Sequence, residues 1–267
     1  MIYVFALSSI AVYGVILGGW ASNNKYSYLG ALRSSAQMIA YELPLGLGIL
    51  GVVLATGSLR LGDIIAQQSE SGVWFAFSQP LGMVVFVIAA FAEAARLPFD
   101  LPECEQELVG GYHTEYSGMR LISFLIAEFL HMVTAAFRIV ILFLGGWHLW
   151  GVTGTNPDSA TWTQALLRIA VLMAKILAVV LFFMMVRWSW PRFRFDQLMA
   201  LAWKVMLPLG LVNLVMVAVL SEPAIASKLG TDNIVLFMIF SWVVSIAAWI
   251  ITAMAQPLIA DNRPRRP

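Results

Sequence analysis

The segment Met1–Trp20, with the sequence MIYVFALSSIAVYGVILGGW, decides the fold class of this chain. It contains no charged residue, and it lacks the basic start and the small-residue cleavage signature of a removable signal peptide. A helix needs about 20 mostly apolar residues to cross the hydrocarbon core, because each residue adds about 1.5 Å and lipid offers no partners for unpaired peptide groups. The segment therefore predicts a membrane-spanning helix.

The rest of the chain repeats this pattern. Of its 267 residues, 60% are hydrophobic and 12% are charged, and the mean hydropathy is +0.83. Soluble domains contain about 45–50% apolar residues. We therefore predict an all-α polytopic membrane helix bundle, with about seven transmembrane helices in a single domain over residues 1–267. The predicted spans are 2–20, 35–57, 74–95, 119–146, 161–187, 197–220 and 232–256.

The segments between the spans predict how the bundle lies in the membrane. SLRLGDIIAQQSE, residues 58–70, is too short and too polar to span, and its apolar spacing predicts an amphipathic helix on the surface. Lys and Arg in short loops favour the cytoplasmic side. Because these residues concentrate in alternate loops, we expect the N-terminus outside and the C-terminus in the cytoplasm. The richer set holds Lys25, Arg33, Arg96, Arg120, Arg187, Arg192, Arg194, Arg263, Arg265 and Arg266, and the other holds Arg60, Arg168 and Lys228.

The composition also excludes several classes of function. The net charge of +1 provides no basic face for DNA or RNA. The single cysteine, Cys104, cannot form an intramolecular disulfide, and the three histidines are too scattered to predict a metal site. The sequence contains neither a dinucleotide-binding glycine motif nor a cysteine cluster, so a flavin or an iron–sulfur cluster would lie on other chains. Internal repeats of the kind found in symmetric transporters are absent from the sequence.

Ionisable residues fall inside the predicted spans, where a charge costs at least about 2.5–3.5 kcal/mol and usually faces protein or water. At about 100° per residue, Glu128, His131 and Arg138 share one face of their helix. Two interpretations stay open: a proton route or polar chamber for a redox-active ligand, and paired ions that only hold the bundle together. Pro44 and the glycines after it indicate either a broken helix beside a cavity or close helix packing. The full set is Glu42, Glu93, Glu128, His131, Arg138 and Lys175.

The loop LPFDLPECEQELVGGYHTEYSGM, residues 97–119, is the most acidic part of the chain. Its acids alternate with side chains such as Phe99, Tyr112 and Tyr116, which favour burial. We therefore predict an ordered cytoplasmic loop that docks on a partner protein, with its acids facing a water-filled entrance. Binding of a divalent cation by Glu103, Glu105 and Glu107 is a weaker alternative, because no EF-hand spacing is present.

Three long stretches resemble one protein family. They are GWASNNKYSYLGALRSSAQMIAYELPLG (19–46), AEAARLPFDLPECEQELVGGYHTEYSGM (92–119) and WPRFRFDQLMALAWKVMLPLGLVN (190–213). They are similar, in order, to the hallmark segments of the H subunit of proton-pumping NADH:quinone oxidoreductase. The mitochondrial form is NADH dehydrogenase subunit 1 of respiratory complex I. The resemblance implies a multi-pass protein of the bacterial plasma membrane (the cell inner membrane), equivalent to the mitochondrial inner membrane.

The resemblance also implies a function. The chain would be a subunit of a translocase complex that forms part of the quinone-binding chamber and the start of a carboxylate path for proton coupling, beside the peripheral arm. It would carry no catalytic redox centre and bind no cofactor, with quinone as the substrate and FMN and iron–sulfur clusters on partner subunits. Its expected partners are the other membrane-arm and peripheral-arm subunits, quinone and the lipid bilayer, with no nucleic acid.

Site residues carry over position by position. Glu42, Glu93, Arg96 and Glu128 match the quinone chamber and proton-coupling residues of the family. The acidic loop residues are Asp100, Glu103, Glu105, Glu107 and Glu115, and the expected contacts at the arm junction are Lys25, Arg33, Arg192 and Arg194. The resemblance implies no catalytic residue and no metal ligand in this chain.

The chain departs from the family pattern at several positions. Ala94 and Ala95 stand where the family usually has Thr-Asn, and His113 stands where it has Asn. The family carries two further spans before the first one here, so the first two family helices are expected to be absent from this chain. Alternatives are the equivalent subunit of a hydrogenase or of another quinone- or phenazine-linked dehydrogenase, a proton-coupled secondary transporter, and a purely structural anchor. The complete acidic loop favours the quinone-linked form.

Overall fold

The computed structural model describes residues 2–96, 98–100, 110–150, 153, 162–222 and 234–259, with side chains in the last helix described as far as Met254. These residues form helices and turns without a strand, which confirms the predicted all-α class. The described helices are α1 (Ile2–Ala21), α2 (Lys25–Thr56), α3 (Leu61–Ser71), α4 (Phe75–Ser78), α5 (Pro80–Glu93), a 3₁₀ turn (Gly111–His113), α6 (Gly118–Phe143), α7 (Trp162–Ser189), α8 (Phe195–Ser221) and α9 (Ile234–Ile259). Six of these, α1, α2, α6, α7, α8 and α9, are long and apolar enough to cross a membrane, and α5 is a shorter apolar helix.

The third predicted span is divided into two helices. α4 ends at Ser78 and α5 begins at Pro80, with Gln79 between them at φ −132° and ψ 64°. A proline disfavours the helical conformation in the residue before it, whereas it is well tolerated at the first position of a helix. The sequence Ser-Gln-Pro therefore ends one helix and starts the next, and the span predicted over 74–95 is shortened to α5.

Helix α2 lies at the centre of the bundle, where it packs against α1, α5 and α8. Its buried side chains include Tyr41 and Leu45, which belong to the same apolar core as Phe86 of α5. A Cβ atom on Gly48 would lie 3.1 Å from Cβ of Phe86, so the glycine lets α2 and α5 approach closely. Since α2 continues as an α-helix through Pro44, the alternative of a broken helix near Glu42 is not present. The other alternative, close helix packing, is found at Gly48.

The loosened turn occurs in α8. Residues Leu201–Met206 form a π-helical turn, and the N–H of Leu207 donates to the carbonyl of Ala202, five residues earlier. Pro208 follows directly and has no N–H to continue the regular bonding pattern. Just before this turn, the hydroxyl of Tyr41 donates to the carbonyl of Leu198 over 2.9 Å, which fixes α8 against the centre of the bundle.

The predicted short helix after α2 is present as α3. Its buried face carries Ile64, which is fully buried, and Gln68, whose amide donates to the carbonyl of Ile141 over 3.2 Å. Leu59 precedes the helix and stays exposed, so it does not join this face. Helix α3 therefore packs across the end of α6. The sidedness of the bundle stays a prediction.

Candidate functional site

A cavity of about 250 Å³ lies where α1, α2 and α6 meet the end of α5. Its walls are mostly apolar on the side of α1 and α2, where they include Ala11, Val15 and Met38. The opposite side carries the polar groups, which are Glu93, Tyr112, Glu128 and His131. The cavity therefore combines an apolar surface with a cluster of ionisable side chains.

Glu93 is the last residue of α5 and has an arginine and a histidine of α6 beside its carboxylate. Nη2 of Arg138 donates to Oε2 of Glu93 over 2.9 Å, and Nη1 lies 3.4 Å from Oε1. Nε2 of His131 lies 3.3 Å from Oε1. Arg138 follows His131 by seven residues, which is two helical turns, so both side chains face the same direction. The guanidinium also lies over the ring of Phe5, 4.9 Å from its centre.

Glu128 lies one turn before His131 on α6 and has a separate set of partners. The hydroxyl of Tyr112 donates to Oε1 over 2.9 Å, and Nε2 of His113 lies 3.2 Å from the same oxygen. Nη2 of Arg96 lies 3.9 Å from Oε2. Arg96 is only 8% exposed, and its guanidinium lies 4.4 Å from the centre of the Phe129 ring. Each carboxylate of the cavity therefore has one arginine and one histidine beside it.

A tight turn after α5 positions Arg96. Ala94 is helical, whereas Ala95 adopts a left-handed conformation with φ 48°. The turn is fixed from α2, because the amide of Gln37 donates to the carbonyl of Ala92 over 2.9 Å and to that of Phe99 over 2.7 Å. Gln37 is buried at 1% exposure. These bonds hold the chain on both sides of the turn and direct Arg96 toward α6.

Next to this turn, the start of the acidic loop contacts the residues just before α8. Nη2 of Arg192 donates to Oδ2 of Asp100 over 2.8 Å. The backbone N–H of Phe193 donates to the carbonyl of Pro98 over 3.2 Å, and the ring of Phe193 stacks on that of Phe99 at 5.5 Å. The structure thus brings together a predicted loop acid and a predicted arm-junction arginine.

The other end of the acidic loop is anchored to α1 and α2. The hydroxyl of Tyr116 donates to the carbonyl of Gly18 over 2.6 Å, and Ser27 donates to the carbonyl of Tyr112 over 3.0 Å. The amide of Asn24 donates to Oε1 of Glu115 over 2.6 Å. Gly30 has no side chain and allows the 3₁₀ turn to approach α2, since a Cβ there would lie 2.9 Å from Gly111.

The predicted site residues therefore occupy different places. Glu93 and Glu128 line the cavity and Arg96 lies beside Glu128, whereas Glu42 lies exposed on α2 and does not line it. Asp100 is buried, and Glu115, Lys25 and Arg194 are exposed. Arg33 is half-buried with its guanidinium 5.8 Å from the centre of the Phe195 ring. Glu103, Glu105 and Glu107 lie outside the described residues.

Lys175 belongs to another part of the molecule. Its Nζ donates to the carbonyls of Leu144 and His148, each over 2.6 Å, just beyond the end of α6. It also lines a larger apolar cavity of about 530 Å³ between α5, α6 and α7. A cation that binds carbonyls after the last turn of a helix satisfies groups that the helix leaves unpaired. Lys175 therefore stabilises a loop and is not part of the carboxylate cluster.

Sequence reasoning missed two residues of the site. The aromatic ring of Tyr112 predicts burial but not that its hydroxyl donates to Glu128. The one sequence signal for Gln37 is a long amide in a largely apolar helix. Among the described residues, no three His, Cys, Asp or Glu side chains come together as a metal ion requires.

Comparison with known proteins assigns the chain to a family. The model of the NADH dehydrogenase family matches residues 1–218. The chain belongs to the NADH dehydrogenase family. The matched residues include the cavity, the start of α8 and both described ends of the acidic loop. The resemblance noted on the three sequence stretches is therefore confirmed.

Relatives within this family carry closely related names. The H subunit of the NADH-quinone oxidoreductase of Geobacillus kaustophilus is 50% identical over 219 residues, which cover 82% of this chain and 62% of that protein. The corresponding H 1 subunit of Cytophaga hutchinsonii is 46% identical over 215 residues, covering 80% and 62%. The H subunit of Flavobacterium johnsoniae is 44% identical over 231 residues, covering 86% and 66%. The chain thus spans less than two thirds of the length of these NADH dehydrogenase family members.

Proposed function

We propose that the chain is a membrane subunit of a proton-translocating NADH:quinone oxidoreductase and that its cavity forms part of the quinone chamber. The observation that carries this proposal is the pair of carboxylates on one wall of an otherwise apolar cavity, Glu93, which is buried, and Glu128, whose side chain is 12% exposed. Its membrane-compatible helices and the family to which it belongs support the same conclusion.

The chemistry of the cavity suits a quinone head group. A quinone ring is flat and apolar, with an oxygen at each end that accepts hydrogen bonds. The walls formed by Ala11, Val15 and Met38 offer apolar contact, and Tyr112 and His131 place polar groups opposite them. Ligand cavities usually measure about 300–1,000 Å³. At about 250 Å³ this one has room for the ring, and the tail would extend outside it.

The carboxylates provide the coupling. Charge that develops on a quinone in a low-dielectric cavity acts strongly on neighbouring ionised groups, because few water molecules screen it. Glu93 and Glu128 would respond through Arg96 and Arg138, which bind them from two sides. Glu42, exposed on α2, would join this path through water or through a partner subunit. Helix α2 would then carry the response away from the cavity.

The remaining parts of the reaction belong to partner subunits. Electrons would arrive from FMN and iron–sulfur clusters on a peripheral arm, while this chain binds the acceptor. The surface around Asp100 and Arg192, at the start of α8, would face that arm. The complex would lie in the bacterial plasma membrane.

Substitution of the carboxylates tests the proposal in the assembled complex. Glu93→Gln and Glu128→Gln should each lower both quinone reduction and proton pumping per assembled complex, with the amount of assembled complex measured in the same membranes. Glu70→Gln is the matched control, because Glu70 is an exposed carboxylate on α3, away from the cavity. Unchanged rates of both reactions in both carboxylate variants would refute the proposal.

A further inference from the structure

The charges around the cavity balance in pairs. Glu93 faces Arg138 at 2.9 Å, and Glu128 faces Arg96 at 3.9 Å, so these four side chains sum to zero when all are ionised. Arg138 is only 5% exposed and Arg96 is 8% exposed. Protonating either carboxylate would leave a buried arginine without its counter-ion, which is strongly unfavourable. The carboxylates are therefore poorly suited to take up protons.

The histidines do not have this restriction. Nε2 of His131 lies 3.3 Å from Oε1 of Glu93, and Nε2 of His113 lies 3.2 Å from Oε1 of Glu128. Imidazole is the side chain that ordinarily gains and loses a proton closest to neutral pH. A proton on either ring would add a positive charge beside a carboxylate and would break no existing ion pair. Two of the three histidines of the chain lie in this arrangement.

Each ring lies beside a carboxylate that also has an arginine partner. His131 is faced by Glu93 from α5 and shares its helix with Glu128 and Arg138, whereas α1 and α2 line the cavity with uncharged residues. His113 is faced by Glu128 from α6, Arg96 after α5 and Tyr112 in its own turn, and the contacts of that turn with α1 and α2 come from uncharged groups. The ring of Tyr112 lies 3.8 Å from that of His113, close enough to stabilise a cation.

His113 has a further property that favours proton uptake. Its side chain is 9% exposed, and its Nδ1 is buried without a hydrogen-bond partner among the described residues. A buried nitrogen of this kind is an unused acceptor, which a proton delivered by water or by a ligand can occupy. His131 lines the cavity directly and needs no intermediate group.

We propose that His131 and His113 are the proton-holding residues of this cavity, while Glu93 and Glu128 stay ionised in their arginine pairs. The inference rests on the proposed function for its biological meaning, but the protonation itself can be measured without turnover. The cavity would carry a positive net charge whenever one of these histidines holds a proton.

The direct test is infrared difference spectroscopy of the assembled complex in membranes, stepped between about pH 8 and pH 6. Ring-labelled histidine distinguishes imidazolium bands from other signals. Part of the imidazolium signal should be lost in His131→Asn and another part in His113→Asn. His148→Asn is the matched control, because His148 lies near Ser69, outside the cavity, and its signal should be separate from both. A protonated-carboxyl band that disappears in Glu93→Gln or Glu128→Gln, with unchanged histidine signals, would overturn the inference.

The pH profile of quinone reduction gives a second readout. In the wild type the rate of quinone reduction should differ between pH 6 and pH 8. In the His131→Asn/His113→Asn double variant, the rate at pH 6 divided by the rate at pH 8 should approach about one. Glutamine at the same positions is the second substitution if the asparagine variants do not assemble. If the double variant keeps the wild-type pH profile while Glu93→Gln reduces quinone slowly, the inference about the histidines is refuted and the proposed function is not. If both carboxylate variants reduce quinone at the normal rate, the proposed function is refuted. The infrared spectra then still show whether the histidines or the carboxylates hold the proton.

Discussion

Arg138 and Glu93 form a two-pronged ion pair between α6 and α5, with 2.9 Å between Nη2 and Oε2. Their side chains are 5% and 11% exposed, so both charges lie inside the bundle. Desolvation of such a pair costs nearly as much as the attraction gains, but the loss of one partner leaves the other charge buried alone. The pair therefore makes each residue necessary to the other.

Removal of Arg138 should destabilise the complex. Arg138→Met keeps much of the side-chain volume but leaves Glu93 without its counter-ion, and we expect a loss of about 3–5 kcal/mol. The loss would be measured as a lower thermal unfolding midpoint of the solubilised complex. Adding Glu93→Gln to the same chain removes the unpaired charge and should recover much of the midpoint. If the double variant is as unstable as Arg138→Met, the ion pair is not the cause.

The turn after α5 contains a strained residue. Ala95 has φ 48°, a region that costs a residue with a Cβ about 1–2 kcal/mol. Glycine relieves this strain, although it also gains freedom in the unfolded chain, so Ala95→Gly should raise stability by up to about 1 kcal/mol. The thermal midpoint measures the change. Ala94→Gly is the control: Ala94 has φ −73°, carries no such strain, and should lose stability.

Close packing of α2 predicts a contrast between two of its glycines. A Cβ on Gly51 would lie 2.6 Å from Nδ2 of Asn213, a fully buried side chain on α8. Gly51→Ala should therefore cost about 1–3 kcal/mol through overpacking. Gly46, on the same helix, has no atom within 4 Å of an added Cβ, and Gly46→Ala should raise stability slightly because alanine favours helix. Equal thermal midpoints for the two variants would contradict this account of the packing.

The loop after α6 should make stability depend on pH. Burial, together with the positive charge of Lys175, lowers the pKa of His148 below its ordinary value of 6.5. The unfolded chain therefore binds a proton at this residue at a higher pH than the folded chain does. Stability should be unaffected above about pH 6.5 and should fall as the pH decreases from there to the folded-state pKa.

His148→Asn isolates this effect. Asparagine cannot titrate but can still bond to Ser69, whose hydroxyl lies 3.2 Å from Nδ1 of His148. The thermal midpoint of the variant, measured from about pH 7.5 to pH 5.5, should fall less steeply than that of the wild type. Identical slopes would show that His148 takes up its proton equally well in both states.

The sequence predicts the helices and part of the site. Hydropathy locates the long helices, because each must present an apolar surface over its whole length. Helical spacing correctly places Glu128, His131 and Arg138 on one face of α6, and the structure shows that this face meets Glu93 and Arg96. Local periodicity is enough for these conclusions.

Other features depend on packing between distant segments. Glu42 and Glu93 look alike in sequence, yet one is exposed and the other buried, because the direction in which a helix faces is set by its neighbours. The bonds from Gln37 join groups 55 and 62 residues away along the chain, which no local pattern specifies. Of the two alternatives left open at Pro44, the broken helix is absent, and a π-helical turn occurs before Pro208. Proline shows only where a helix can deform.

The two hydrogen bonds that the Gln37 side chain donates connect α2 to the turn after α5. A single buried amide on α2 binds the carbonyl of Ala92, in the last turn of α5, and that of Phe99, three residues after Arg96. A displacement of either segment would therefore be transmitted to α2, which also carries the exposed carboxylate of Glu42, just over one turn beyond Gln37.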